Sequence, residues 1–176
     1  MRVVATFLGF QASWWILVLG AKHPTTHLVA AGLILFWTLV AKFRGHRRWP
    51  ELLGFSALGL CSEMLLQNLN LVRYVGEFQI EFVNQPHLPP LWLIALWYIF
   101  AVVALETPKF WLKLKSRWWL APLMGGLGGL MSYAPGPSLN ALSWSQGPEI
   151  GLIAVALQWA LACWVLVHRF KWQDPA

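Results

Sequence analysis

LGLCSEMLLQNLNL, residues 58–71, is an apolar run broken by Glu63, Gln67, Asn68 and Asn70. Ser56, Gly59, Glu63, Gln67 and Asn70 follow steps of three and four, which places them on one face of a helix, with small residues where a neighbour can approach. Ionisable groups at membrane depth are costly and face a bundle interior. The stretch therefore predicts an all-α fold, a polytopic membrane helix bundle, in which the other helices hide this polar stripe. Glu63 is its first functional candidate, and the cost of burying a charge favours the neutral carboxyl there.

The rest of the chain agrees with a membrane reading. Of its 176 residues 58% are hydrophobic and only 11% charged, against about 25% charged in soluble domains, and mean hydropathy is +0.56. Six apolar runs, at about 3–21, 26–43, 50–71, 90–105, 118–134 and 150–168, approach the roughly 17–25 residues of a spanning helix, and together they form one transmembrane domain. Arg2 and the small-residue end Leu19-Gly20-Ala21 would also suit a cleaved signal peptide, but Gln11 and the paired Trp14 and Trp15 interrupt its apolar core.

Net charge is +6, yet the basic residues cluster between apolar runs rather than on a soluble face, which argues against nucleic acid as a partner. In a six-span arrangement eleven of the 13 basic residues fall on one side; only Lys22 and Arg73 fall on the other. Cytoplasmic loops carry the positive excess, so both termini are expected in the cytoplasm. The basic loop of Arg44, Arg47 and Arg48 and the segment from Lys109 to Arg117 are topology signals that can also meet anionic head groups, at about 1 kcal/mol per charge. On the outer side, Phe78, Ile80 and Phe82 alternate with polar residues, as in an extended segment. Residues 135–148 are rich in Pro and Gly and read as turns.

Ala121, Gly125 and Gly129 form a small-residue row that admits a close helix neighbour, for which the third span is the candidate; an irregular segment lining a cavity is the alternative. Among the 13 tryptophans, Trp49, Trp111, Trp118, Trp119, Trp172 and Trp92 sit at span ends as interfacial anchors, whereas Trp14, Trp15, Trp97 and Trp159 lie deeper. The deep ones either fill the core or present flat rings to a ligand. Cys61 and Cys163 both fall in apolar runs and suggest neither a disulfide framework nor a metal site.

Four stretches resemble a family of small bacterial inner-membrane proteins, the domain of unknown function family 2878: FLGFQASWWILVLGA (7–21), LGLCSEMLLQNLNLVRY (58–74), PLWLIALWYIF (90–100) and WLAPLMGGLGGLMSYAPG (119–136). This chain departs from the family pattern at Glu63, where the pattern carries Asp, at Gly129-Leu130-Met131 for Gly-Pro-Leu, and at Leu139-Asn140-Ala141 for Leu-Gly-Ala. The resemblance implies a bundle in the bacterial inner membrane and no particular activity.

Glu63, Gln67, Asn70, Gln11 and Gln158 are the candidate ligand or proton site, since Gln11 and Gln158 fall at depths comparable with Glu63. The same groups can serve instead as hydrogen-bonding glue between helices. His23 and His27 could meet Glu77, Glu81 or His87 around a metal, although Pro24 between them disturbs the spacing. No catalytic motif is present and no cofactor is indicated. Three classes remain: an accessory or lipid- or small-ligand-binding membrane protein, which leads; a small transporter coupled through Glu63; and a membrane enzyme acting on a lipid or polyprenyl substrate, which needs a second acid, a histidine or a metal. The lipid bilayer is the one partner expected in every case.

Overall fold

The computed structural model describes residues 2–76, 78–79 and 87–169. The architecture is all-α, with seven helices among the described residues: α1 Arg2–Gly20, α2 Thr26–Phe43, α3 Trp49–Asn68, α4 Leu91–Leu105, α5 Pro108–Lys115, α6 Leu120–Tyr133 and α7 Pro148–Arg169. Local chemistry sets their ends. Gly45, at φ +74°, follows the last turn of α2, and the amide of His46 returns to the Ala41 carbonyl, a left-handed cap that glycine accommodates best. Pro50 opens α3, where a missing amide hydrogen costs nothing. Pro108 cannot continue the α4 ladder, and α5 leaves it at 75°.

Asn70 closes α3 in the same way as Gly45 closes α2. It adopts φ +54° beyond the helix end at Asn68, and the Leu71 amide returns to the Leu66 carbonyl. Asn70 is exposed. Stepping by three and four past Asn68 put it on the polar face, but the left-handed cap turns it away.

The centre of the bundle is α4, which packs against α1, α2 and α3. Trp97, Ile99 and Val102 on this helix are all but inaccessible. α6 and α7 form a second, closely packed unit, and α3 touches both α4 and α7. The small-residue row of α6 meets α7 rather than α3: a Cβ at Gly125 would lie 2.3 Å from the Trp159 carbonyl oxygen, and one at Gly129 2.6 Å from the Trp159 ring. The glycine of α3 serves another neighbour, because a Cβ at Gly59 would fall 2.1 Å from the Trp97 indole of α4.

Two ends of the bundle can be told apart. At one, the Arg44 guanidinium donates to Thr6 Oγ1 at 2.8 Å and lies 3.9 Å from Glu106, with His46 Nδ1 at 3.3 Å from the same carboxylate. This gathers the ends of α1, α2 and α4. At the other, β1 (Val72–Tyr74) pairs antiparallel with β4 (Leu142–Trp144), joining the connection after α3 to the one after α6. Phe78–Gln79 (β2) also pairs with His87–Leu88 (β3). The rest of the alternating outer segment, including Ile80 and Phe82, lies outside the described residues.

Three helices, α1, α2 and α7, are long and apolar enough to cross a membrane, and the bent pair α4–α5 qualifies as a fourth when counted together. Their outward faces carry apolar side chains such as Val4, Leu8, Leu28, Leu35 and Leu157, each about 60% exposed, as hydrocarbon surroundings allow. α4 and α6, at 15 and 14 residues, rise about 22 and 21 Å, short of a hydrocarbon core of about 30 Å.

Candidate functional site

The stripe on α3 is buried: Ser56, Gly59, Glu63 and Gln67 all face inward. Glu63 has no accessible surface. Three side chains converge on its carboxyl. Trp97 Nε1 donates to Oε1 at 2.9 Å, the Tyr133 hydroxyl donates to Oε1 at 2.5 Å, and the Tyr74 hydroxyl donates to Oε2 at 2.5 Å. An ionised carboxylate accepts all three bonds; a neutral acid keeps two and gives its proton to a tyrosine oxygen. Gln158 adjoins the carboxyl, and its amide donates to Ser62 Oγ at 2.8 Å.

Each member of the cluster comes from a different element. α3 supplies Glu63, α4 Trp97, and the last turn of α6 Tyr133. Tyr74 turns inward because alternate residues of β1 face the bundle: Val72 and Tyr74 are buried while Arg73 is exposed. Pairing with β4 and a hydrogen bond of 3.0 Å from Trp92 Nε1 to the Val75 carbonyl hold that strand in place. Trp97 is fixed in turn by stacking on Trp159 of α7, with ring centroids 4.5 Å apart and planes 13° apart.

One cavity borders the cluster, and a second shares part of its wall. The first, of about 60 Å³, is lined by Trp14, Trp92, Trp97, Trp159, Tyr74 and Tyr133 among others; Glu63 stands behind the tyrosines and does not line it. Phe10, Phe100, Ser132 and Trp159 border both this cavity and a larger cleft of about 630 Å³, within the roughly 300–1,000 Å³ of ligand sites. The cleft runs between α1 (Val3, Phe7, Gln11) and α6 (Met124, Gly128), over α4 and down to α5 (Phe110, Leu114). It is almost wholly apolar.

The structure thus gathers Glu63 and Gln158, sets Gln67 buried one turn further along α3, and places Gln11 apart from them on the cleft wall. Ala121 and Gly125 also line the cleft. His23 and His27 are both exposed in and after the α1–α2 turn. Among the described residues no three His, Cys, Asp or Glu side chains group as metal ligands, and the side chains of Glu77, Glu81 and His87 lie outside that set. Sequence reasoning missed Tyr74 and Tyr133. A signal existed, since the chain has three tyrosines and two of them fall at or near the ends of the stretches 58–74 and 119–136.

No curated protein and no solved structure matches this chain. The sequence profile of one family, Protein of unknown function (DUF2878), matches residues 3–165, which includes every member of the Glu63 cluster and both cavity walls. The chain belongs to the DUF2878 family.

Proposed function

We propose that this protein is a non-catalytic, multi-pass inner-membrane protein that binds a membrane amphiphile, holding its hydrocarbon chain between α1 and α6 with the Glu63 cluster at the closed end. The observation that carries the reading is an apolar cleft of about 630 Å³ that shares Phe10, Phe100, Ser132 and Trp159 with the cavity walled by Tyr74 and Tyr133. In this reading Glu63 does not touch the ligand. It orients two hydroxyls and an indole that would otherwise lie unpaired in an apolar interior, so that the two tyrosines wall the chain end.

Six spans, with α5 along the cytoplasmic surface and both termini on that side, fit the eleven-to-two division of basic residues. Reporters fused after Lys115 and Lys171 are expected to read cytoplasmic, and reporters near Gln79 and Ser143 extracytoplasmic. A C-terminus on the outer side would contradict the arrangement.

Ligand binding is tested with Gly128→Leu. A Cβ at Gly128 meets nothing within 4 Å, yet the residue lines the cleft, so leucine fills ligand space without disturbing the α6–α7 seam. Displacing two methylenes, at about 0.8 kcal/mol each, amounts to about a tenfold loss of affinity. Wild-type protein carried through detergent exchange is expected to retain an amphiphile detectable by mass spectrometry of the extract, and Gly128→Leu to lose most of it at unchanged thermal stability. Equal retention by both proteins would refute the reading.

A further inference from the structure

α5 is an eight-residue helix set at 75° to α4, and its two faces differ sharply. Thr107, just before it, and Phe110, Trp111 and Leu114 recur at helical spacing and wall one end of the cleft. Trp111 Nε1 donates to the Ala104 carbonyl at 2.9 Å, which pins the helix across the end of α4. Lys113 lies one turn on from Phe110 and Lys115 one turn on from Trp111, so the two ammonium groups flank the lining face from opposite sides. Both are exposed, as are Lys109 and Arg117.

No carboxylate lies within ion-pair distance of any of these four among the described residues; Glu106, the nearest acid in the chain, faces Arg44 and His46 instead. The helix that walls one end of the apolar cleft therefore also carries exposed, uncompensated positive charge at the basic end of the bundle. An amphiphile lying in a bilayer keeps its head at the interface while its chain enters the apolar space. Charge complementarity then selects among head groups.

We infer that the occupant of the cleft is an anionic phospholipid, the net negative charge of its head group drawn to Lys113 and Lys115 and one acyl chain running between α1 and α6 toward Ser132 and Trp159. This rests on the reading that the cleft holds an amphiphile, and adds the identity of the head group and the residues that select it. Lys109, on the opposite side of α5, contributes to the general surface field but not to the site.

The test is native mass spectrometry of the full chain in detergent, titrated with phosphatidylglycerol and phosphatidylcholine of identical acyl chains. Wild type is expected to bind the anionic lipid about thirtyfold more tightly, the preference two nearby basic residues confer. Lys113→Glu combined with Lys115→Glu removes that preference and leaves phosphatidylcholine binding unchanged, Lys109→Glu preserves it, and Gly128→Leu weakens both lipids together. Equal affinity of wild type for the two lipids, survival of the preference in the double variant, or its equal loss in Lys109→Glu overturns the head-group assignment while the cleft reading stands. Unchanged binding of both lipids by Gly128→Leu overturns the cleft reading itself.

Discussion

Glu63→Leu is expected to lower folding stability by about 3 kcal/mol or more, whereas Glu63→Gln is expected to cost about 1 kcal/mol or less. Leucine fits the apolar surroundings but strands three donors, the Trp97 indole and the hydroxyls of Tyr74 and Tyr133. An unsatisfied buried polar group costs about 1–3 kcal/mol, and three at the lower end reach the stated loss. Glutamine keeps an oxygen in the Oε1 position for Trp97 and Tyr133, and its amide donates to the Tyr74 oxygen, which accepts as readily as it donates. The measurement is thermal unfolding in detergent for wild type and both variants. A Leu variant as stable as wild type would remove the cluster from any account of how the bundle is held. The same pair bears on the transporter reading: a Gln variant that folds but loses a host phenotype would assign Glu63 a proton or cation step.

Gly59→Ala is expected to destabilise by about 3 kcal/mol, at the upper end of ordinary overpacking. The added methyl would sit 2.1 Å from the indole of Trp97, and that ring is held on several sides. It is 1% exposed, stacked on Trp159, in contact with Phe55 at a centroid distance of 6.1 Å, and hydrogen-bonded to Glu63. The ring can yield only toward the small cavity it lines, and doing so disturbs the stacked pair and the bond to the carboxyl together. Gly54→Ala is the control: nothing lies within 4 Å of its Cβ, and alanine's helix propensity raises stability by up to about 1 kcal/mol. Both are read from unfolding midpoints, with near-ultraviolet circular dichroism following the Trp97–Trp159 couple. A Gly59→Ala protein with wild-type stability and an unaltered tryptophan signal would contradict the packing described.

How far such features can be read from sequence depends on how local their causes are. The inward face of α3 is legible because helical periodicity alone places Ser56, Gly59, Glu63 and Gln67 together. The small-residue row of α6 is equally visible, but a row of glycines says that something comes close without saying what. Its partner proved to be Trp159 and Cys163 of α7, which carry no distinguishing pattern. Tyr74 is illegible for a different reason: its direction follows from a β1–β4 pairing between residues about 70 positions apart. α5 was hidden because an eight-residue segment with three lysines reads as a basic connection between spans. The cleft has no sequence signature at all, since it is the space left where α1 packs on α2 and α4 while α6 packs on α7.

The central claim is that the space between α1 and α6 is a binding site rather than a packing gap. It is tested most directly by determining the structure of the protein in a bilayer nanodisc made from its host's lipids. The account predicts elongated density running from the Lys113–Lys115 side of α5, past Gly128, to Ser132 and Trp159, with Tyr74 and Tyr133 still on Glu63. α1 closed against α6, with Phe7 and Gln11 packed on Met124 and Gly128 and no density between them, would contradict it.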